Sequence, residues 1–220
     1  RTIETLRKPD SSAADVAAVL STDPGLTVRL LKLVNSAGYS PARPVNNVGQ
    51  AVAVAGYGTV ESLVLSVGVT TALPRQQFDG FDQARFWRTS SLRATLARSL
   101  ATEYHPATAG LSFTAGLLQD MAIPLLAAAR EDYRPVLVAW HDGTADLIEL
   151  EESRFGWGHD QVAHWLCQEW ELPVSLANAI AGHHGRGEEP APPAVRLVSA
   201  IREVPIEDRP FFFNDTATTE

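Results

Sequence analysis

"TAGLLQDMAIPLLAAA", residues 114 to 129, is an apolar helical run interrupted by two polar side chains, Gln119 and Asp120. Burying a carboxylate without a partner is costly, so Asp120 is kept there either by structure or by chemistry. Pro124 stands four residues further on and has no N–H to return to the Asp120 carbonyl, which predicts a kink. Gln119 can both donate and accept hydrogen bonds, so it can fill a polar pocket without a metal.

Helical periodicity extends from this run in both directions. "DPGLTVRLLKLVNSA", residues 23 to 37, opens with Asp23 as a cap and Pro24 at the first helical position. Leu26, Leu30, Leu33 and Ala37 then share one face, with Thr27, Arg29 and Lys32 outside it. Upstream, Ser12 and Asp15 are spaced as a capping box before "VAAVL". Further helices are predicted at about 47–56, 59–72, 82–103, 109–129, 131–141, 145–154, 159–170, 173–184 and 191–203. Segments such as "SPARP", "LPRQQFDG", "HDG", "FGWG" and "GRGEEPAPP" supply the turns between them. Strand signals are scarce and no internal repeat is visible. The fold class is all-α, a multi-helix bundle.

Two stretches test that reading. "AVAVAGYGTVESLVLSVGV", residues 51 to 69, is long enough to span a bilayer and carries only Glu61 as a charge. Gly56 and Gly58 flank Tyr57 at its centre, and Thr59 with Glu61 resembles a helix start. Two short buried helices joined by a turn account for it better than a membrane span. Residues 204–220 place Phe211, Phe212 and Phe213 together without any period, and read as a non-native or disordered tail outside the domain.

Composition narrows the function. A chain of 220 residues that is 45% hydrophobic can bury a sizeable core. A formal net charge of −8 argues against a dedicated nucleic-acid binder, which normally shows a basic footprint. Arg88, Arg93 and Arg98 lie on one predicted helix, but a spacing of five drifts around the axis, and they read as solvated. Cys167 is the single cysteine, so no intramolecular disulfide is available and a reducing, cytoplasmic setting fits. Its apolar-periodic surroundings mark it as a buried small hydrophobe. There is no signal-peptide pattern, and a first residue of Arg1 fits a piece of a longer chain.

Nucleophile signatures fail. The chain has no Gly-x-Ser-x-Gly elbow and no Walker loop, which leaves a metal site built from histidines and carboxylates. His105 precedes Pro106 in a loop and reads as exposed, while His141 falls where a helix ends at Gly143. His159 and His164 are five apart, roughly 140° around a helix, and cannot easily share a metal. His159 beside Asp160 suits a helix start instead. The adjacent His183 and His184 close an apolar helix, and so are expected to point in different directions, each toward its own partner.

Taken in order, "DPGLTVRLLKLVNSAGYS", "AVAVAGYGTVESLVLSVGV", "FWRTSSLRATLARSLA", "TAGLLQDMAIPLLA", "LEESRFGWGHDQVAHWLCQEWELP" and "AIAGHH" resemble the HDOD domain, the HD-related output domain of bacterial signalling proteins. Asn35-Ser36-Ala37 after Asp23-Pro24, and Trp170 before Leu172-Pro173, are the most specific parts. The likeness covers about residues 12 to 203, with N-terminal helices over about 12–72 and an HD-like part over about 82–203. It implies an all-α fold related to the HD phosphohydrolases, which hold one or two metals with histidines and aspartates. It also implies departures from that ligand set. The first histidine would stand at Thr89, the paired histidine is replaced by Gln119 beside Asp120, and a late aspartate would stand near Ser199. Ala122 and Ile123 stand where catalytic relatives often carry Gly and Lys. Asp120, His183, His184 and His159 remain as vestigial metal candidates.

A glutamine carbonyl is a weaker donor than imidazole, and hydroxyls at Thr89 and Ser199 are poor ligands at neutral pH. The expectation is therefore a non-catalytic regulatory or scaffolding module with no cofactor and no nucleic-acid or membrane partner. It would work through a protein partner or a covalently linked signalling domain. The alternative is a metal-dependent phosphohydrolase acting on a nucleotide or cyclic dinucleotide, with Asp120 and one or both of His183 and His184 around a metal. If the pocket is structural, Asp120→Asn is expected to be mild.

Overall fold

The computed structural model describes residues 13–21, 24–35, 44–73, 81–141, 145–186 and 189–201. Ser12, Asp23, Ala37, Asp142, Gly143 and the 204–220 segment lie outside the described residues. Among the described residues there are twelve α-helices and two short 3-10 turns, with no extended strand. The all-α expectation holds. The chain divides into two compact units, Arg1–Thr71 and Ala72–Glu220.

The first unit contains α1 (Ala13–Leu20), α2 (Pro24–Val34), α3 (Val48–Ala55) and most of α4 (Tyr57–Ala72). Pro24 opens α2 as expected. The core joins Val16 and Leu20 of α1, Leu30 and Val34 of α2, Val48, Ala51 and Val52 of α3, and Val60, Leu63 and Val64 of α4. Asn35 has a structural role in this unit. Its amide donates to the carbonyls of Leu31 and Val45 and accepts from the Val45 N–H at 2.8 Å, pinning the approach to α3 onto the end of α2. The stretch 51–69 is indeed two helices. They turn at Gly56, whose φ of +78° favours a residue without a Cβ, and the two axes diverge by 112°.

The second unit begins with the last residue of α4 and continues through α5 (Gln83–Tyr104), α6 (Ala109–Leu118), α7 (Ala122–Ala129), α8 (Arg134–His141), α9 (Leu147–Phe155), α10 (His159–Glu169), α11 (Val174–Ala181) and α12 (Pro193–Ser199). Asp82 caps α5 by accepting the N–H groups of Ala84 and Arg85. Helix α5 packs along α6 and α12, and the α10–α11 pair closes on α6 and α7. Pro106–Ala129 is a stretch long and apolar enough to cross a membrane, but most of it is buried inside the protein.

The expected continuous helix over 109–129 is in fact two. It breaks at Gln119–Met121, one turn before Pro124. With no N–H at Pro124, the Asp120 carbonyl accepts from Ile123 at 3.0 Å, and the Leu118 carbonyl accepts from Met121 at 2.9 Å. These shorter-range bonds tighten the chain into a turn and set Asp120 just ahead of α7, an end that favours negative charge. Cys167 is fully buried, and burial pushes its thiol up to about 12, so it is an inert packing residue.

Helices α5 and α6 meet main chain to main chain at Gly116. A Cβ added there would lie 3.2 Å from Ala94 Cα, Ala94 N and the Arg93 carbonyl carbon. These are backbone atoms, so α5 itself must retreat to make room. Gly116→Ala is expected to cost about 1–3 kcal/mol, the range typical of overpacking. Urea denaturation of the two proteins measures it, and an unchanged midpoint contradicts the close approach.

Candidate functional site

Asp120 sits at the centre of the buried polar region, 6% exposed. One carboxylate oxygen, Oδ2, accepts from Nη1 of Arg93, which is equally buried on α5. The other, Oδ1, lies 3.3 Å from His183 Nε2 and 3.5 Å from His159 Nε2. Arg93 is therefore not solvated, contrary to the reading from helix spacing. Its remaining donors are also used: Nε and Nη2 both reach the Ile201 carbonyl beyond α12, at 3.1 and 2.6 Å. Helix geometry gives a residue's direction around the axis, but not what stands opposite it.

His159 is the first residue of α10, as expected, and it is 1% exposed. What fixes it is Glu151, a fully buried carboxylate on α9 that the sequence did not single out. Glu151 Oε2 accepts from the His159 backbone N–H and from its ring Nδ1, each at 2.8 Å. A carboxylate can only accept, so His159 donates from Nδ1 and turns Nε2 toward Asp120. The Tyr133 hydroxyl donates to the other Glu151 oxygen. Glu151 thus serves the start of α10 from a neighbouring helix, accepting one of the backbone N–H groups that a helix N-terminus leaves open.

His183 and His184 do not face different partners. Helix α11 ends at Ala181, and the pair lies in the turn after it, where the angular spacing of a helix no longer applies. His183 Nδ1 donates to the Ile180 carbonyl at 2.5 Å, and its Nε2 is buried without an aligned hydrogen bond. His184 Nε2 lies 3.2 Å from His159 Nε2. One ligand atom each from Asp120, His159, His183 and His184 fall within 4.8 Å of one another. All four vestigial candidates are therefore brought together.

The other expectations fare differently. Gln119 is 1% exposed, but neither of its amide atoms has a hydrogen-bond partner, so it does not fill a polar pocket as expected. Thr89 is buried on the same face of α5 as Arg93, four residues away. Ser199 donates to the Arg196 carbonyl. His105 and His141 are exposed and are not among the convergent donors; the His141 ring lies at a tilt against Trp140. His164 faces the Ala177 carbonyl and Gln168 instead. A cavity of about 330 Å³ opens beside the cluster, lined by Trp140, Asp146 and Arg196 as well as the site residues.

Protonation follows from these contacts. Burial alone would push the Asp120 carboxyl up, but the Arg93 guanidinium, with the imidazoles of His159 and His183, holds it well below the usual carboxylate range. Burial also works against a charged His159. Hydrogen bonds to Asp120 and Glu151, and the charges behind them, nevertheless raise it from 6.5 to about 10. Burial and the two neighbouring histidines push His184 down to about 3, so it stays neutral. The Asp120 carboxylate thus sits between the Arg93 guanidinium and the His159 imidazolium.

The donor set also fits a metal. With metal–nitrogen bonds of about 2.0–2.1 Å, the edges of a tetrahedral site are about 3.3 Å long. The separations of 3.2, 3.3 and 3.5 Å between these donors match. His159 and His183 anchor Nδ1 on a carboxylate and a carbonyl, the arrangement that orients metal-binding imidazoles, and the partnerless His183 Nε2 faces inward. Imidazole nitrogens suit a borderline transition ion. Among the described residues Asp120 is the single carboxylate in the group, so the set fits one ion and not a pair.

A profile of the HDOD domain matches residues 1–186. The chain belongs to the HDOD domain family. An uncharacterised protein of Treponema pallidum (strain Nichols) is 26% identical over 193 residues, which cover 84% of this HDOD chain and 36% of that protein. The chain thus spans about a third of that relative's length. A Shewanella amazonensis SB2B protein provisionally named a phosphohydrolase is 26% identical, with a TM-score of 0.71 over 90% of this chain and 71% of its own. A Marinobacter aquaeolei VT8 protein provisionally named for signal transduction shares the fold at a TM-score of 0.68 and 23% identity, over 90% of this chain and 46% of its own.

The Arg93 contact reverses one expectation. Asp120→Asn keeps shape but strands a buried guanidinium, so it is expected to cost about 3–5 kcal/mol rather than to be mild. The double variant Arg93→Met/Asp120→Asn should recover most of that loss in urea denaturation; a double variant no better than the single one contradicts the pairing. A second expectation concerns pH. His159 is raised in the folded state from 6.5 to about 10, so its contribution is complete below about pH 6.5 and lost as pH rises through 10. With chelator present, stability should decline over that window, and Glu151→Gln should flatten the decline.

Proposed function

We propose that this HDOD domain is a non-catalytic regulatory module, acting through a protein partner or a signalling domain joined to it. The observation that carries this reading is the Arg93–Asp120 ion pair. Asp120 is the one carboxylate among the convergent donors, and its charge is already met by a guanidinium that burial and the Ile201 carbonyl keep in place. Hydrolysis of a phosphate ester by an HD-type site needs a bound cation that activates water and polarises the phosphoryl oxygen. Here Arg93 and His159 supply the positive charge instead, and neither can make a bound water more acidic in the way a divalent ion does.

A second reading has its own support: a metal-dependent phosphohydrolase acting on a nucleotide or cyclic dinucleotide. The convergence of the four donor atoms within 4.8 Å of one another favours it, as does the likeness to the Shewanella protein. Asp120, His159, His183 and His184 would hold the ion. Four protein ligands describe a closed site, however, and catalytic sites keep one position open for water or substrate.

Protein purified without chelator decides between them. The regulatory reading expects no stoichiometric iron, manganese or zinc by elemental analysis, no chelator-induced fall in melting temperature, and no turnover of a generic phosphodiester. Bound metal would stabilise the folded state by mass action, so a large fall on chelation speaks against the reading. Turnover that disappears in Asp120→Ala overturns it.

A further inference from the structure

We infer that Arg93 is the residue that keeps the Asp120, His159, His183 and His184 set from taking up a divalent transition-metal ion. The inference deepens the regulatory reading and rests on its premise that the protein works without a metal.

The donors converge, and a binding ion would displace the proton that His159 Nε2 carries toward Asp120. His159 and His183 are anchored through Nδ1 and turn Nε2 inward, and Asp120 offers them Oδ1. What opposes an ion is charge. The second Asp120 oxygen is in contact with the Arg93 guanidinium, so an incoming dication meets a fixed positive group across the one carboxylate that would neutralise it.

Three features make that opposition lasting. Arginine does not lose its proton at accessible pH, as a lysine or histidine in the same place could. The guanidinium cannot swing aside without abandoning the Ile201 carbonyl, which takes two of its donors. The backbone beneath it is wedged against Gly116, where α5 and α6 touch main chain to main chain. Guanidinium and metal ion are therefore alternative counter-ions for one carboxylate, and the side chain at position 93 selects between them. The ion class follows from the donors: three imidazole nitrogens and one carboxylate suit zinc, cobalt or nickel rather than magnesium or calcium.

Cobalt(II) alone is a suitable probe, because its visible absorption reports low-coordinate nitrogen ligation directly. Wild type, Arg93→Gln, Arg93→Ala, Arg93→Lys and Arg93→Gln/Asp120→Asn are each titrated at neutral pH, with bound metal counted after equilibrium dialysis. Arg93→Gln and Arg93→Ala should take one equivalent, more than about tenfold tighter than wild type, the lower end of what groups around a metal's ligands contribute. Their melting temperatures should rise with cobalt. Arg93→Lys, which keeps the charge, should behave as wild type, and the double variant should lose the site.

Arg93→Ala strands Asp120 and is expected to be weakly folded until cobalt is added; recovery of its circular dichroism on adding cobalt supports the exchange of one cation for the other. Arg93→Gln can still donate to Ile201 and carries the measurement independently. A folded Arg93→Gln that takes no more cobalt than wild type overturns the inference, and so does failure of both variants to fold with cobalt present. Wild type binding one equivalent as tightly as Arg93→Gln overturns it too. If that metal-loaded wild type also cleaves a phosphodiester, the regulatory reading falls with it; without turnover, that reading stands and only the role of Arg93 is lost.

Discussion

A buried carboxylate stays ionised only where cations or hydrogen-bond donors meet it, and at Asp120 the foremost of these is Arg93. The contact depends on the packing around it as much as on the two residues. Arg93 reaches Asp120 because Gly116 lets α5 approach α6 to within 3.2 Å of a would-be Cβ, and because the Ile201 carbonyl takes the donors that Asp120 leaves free. Attraction between unit charges about 4 Å apart is worth about 4 kcal/mol at the effective dielectric suited to proteins. Desolvating both ions costs several kcal/mol each. The desolvation cost is at least as large as the attraction, so the pair adds no net stability by itself. What it contributes is arrangement: it places one Asp120 oxygen and turns the other toward three histidines.

A second chain of contacts holds the opposite side. Tyr133, before α8, donates to Glu151 on α9, and Glu151 holds both the backbone and the ring of His159 at the start of α10. Three neighbouring elements are tied at one buried carboxylate whose two oxygens both accept hydrogen bonds, which is the condition under which burying a charge is tolerable. The same carboxylate caps a helix and orients an imidazole. Structure and site chemistry are not separable at Glu151, and its removal would disturb both.

This division explains what could be read in the sequence. Helices were legible because their apolar faces repeat and their starts carry recognisable residues, such as Pro24 in α2. The break in 109–129 was legible in kind, from Pro124, but its position one turn earlier depended on where the freed Asp120 carbonyl found a donor. Asp120, His159, His183 and His184 were legible as residue types, through the family likeness. Their convergence was not, because His183 and His184 lie in a turn and helical angles misplace them. Arg93 and Glu151 were missed for one reason. Each acts on a partner that belongs to a different element, and periodicity within one helix carries no information about the facing element.

The position of Arg93 on α5 bears on how Asp120 can be buried as a charged group. Thr89 and Arg93 are buried on one face of that helix, one turn apart, and the family likeness puts the first metal-binding histidine at Thr89. A hydroxyl at Thr89 brings no positive charge to Asp120, and an uncompensated buried carboxylate costs several kcal/mol. The Arg93 guanidinium, one turn along the same helix face, is in contact with that charge. Position 93 thus decides how the carboxylate at position 120 can be buried, and the packing of α5 on α6 decides whether position 93 can reach it.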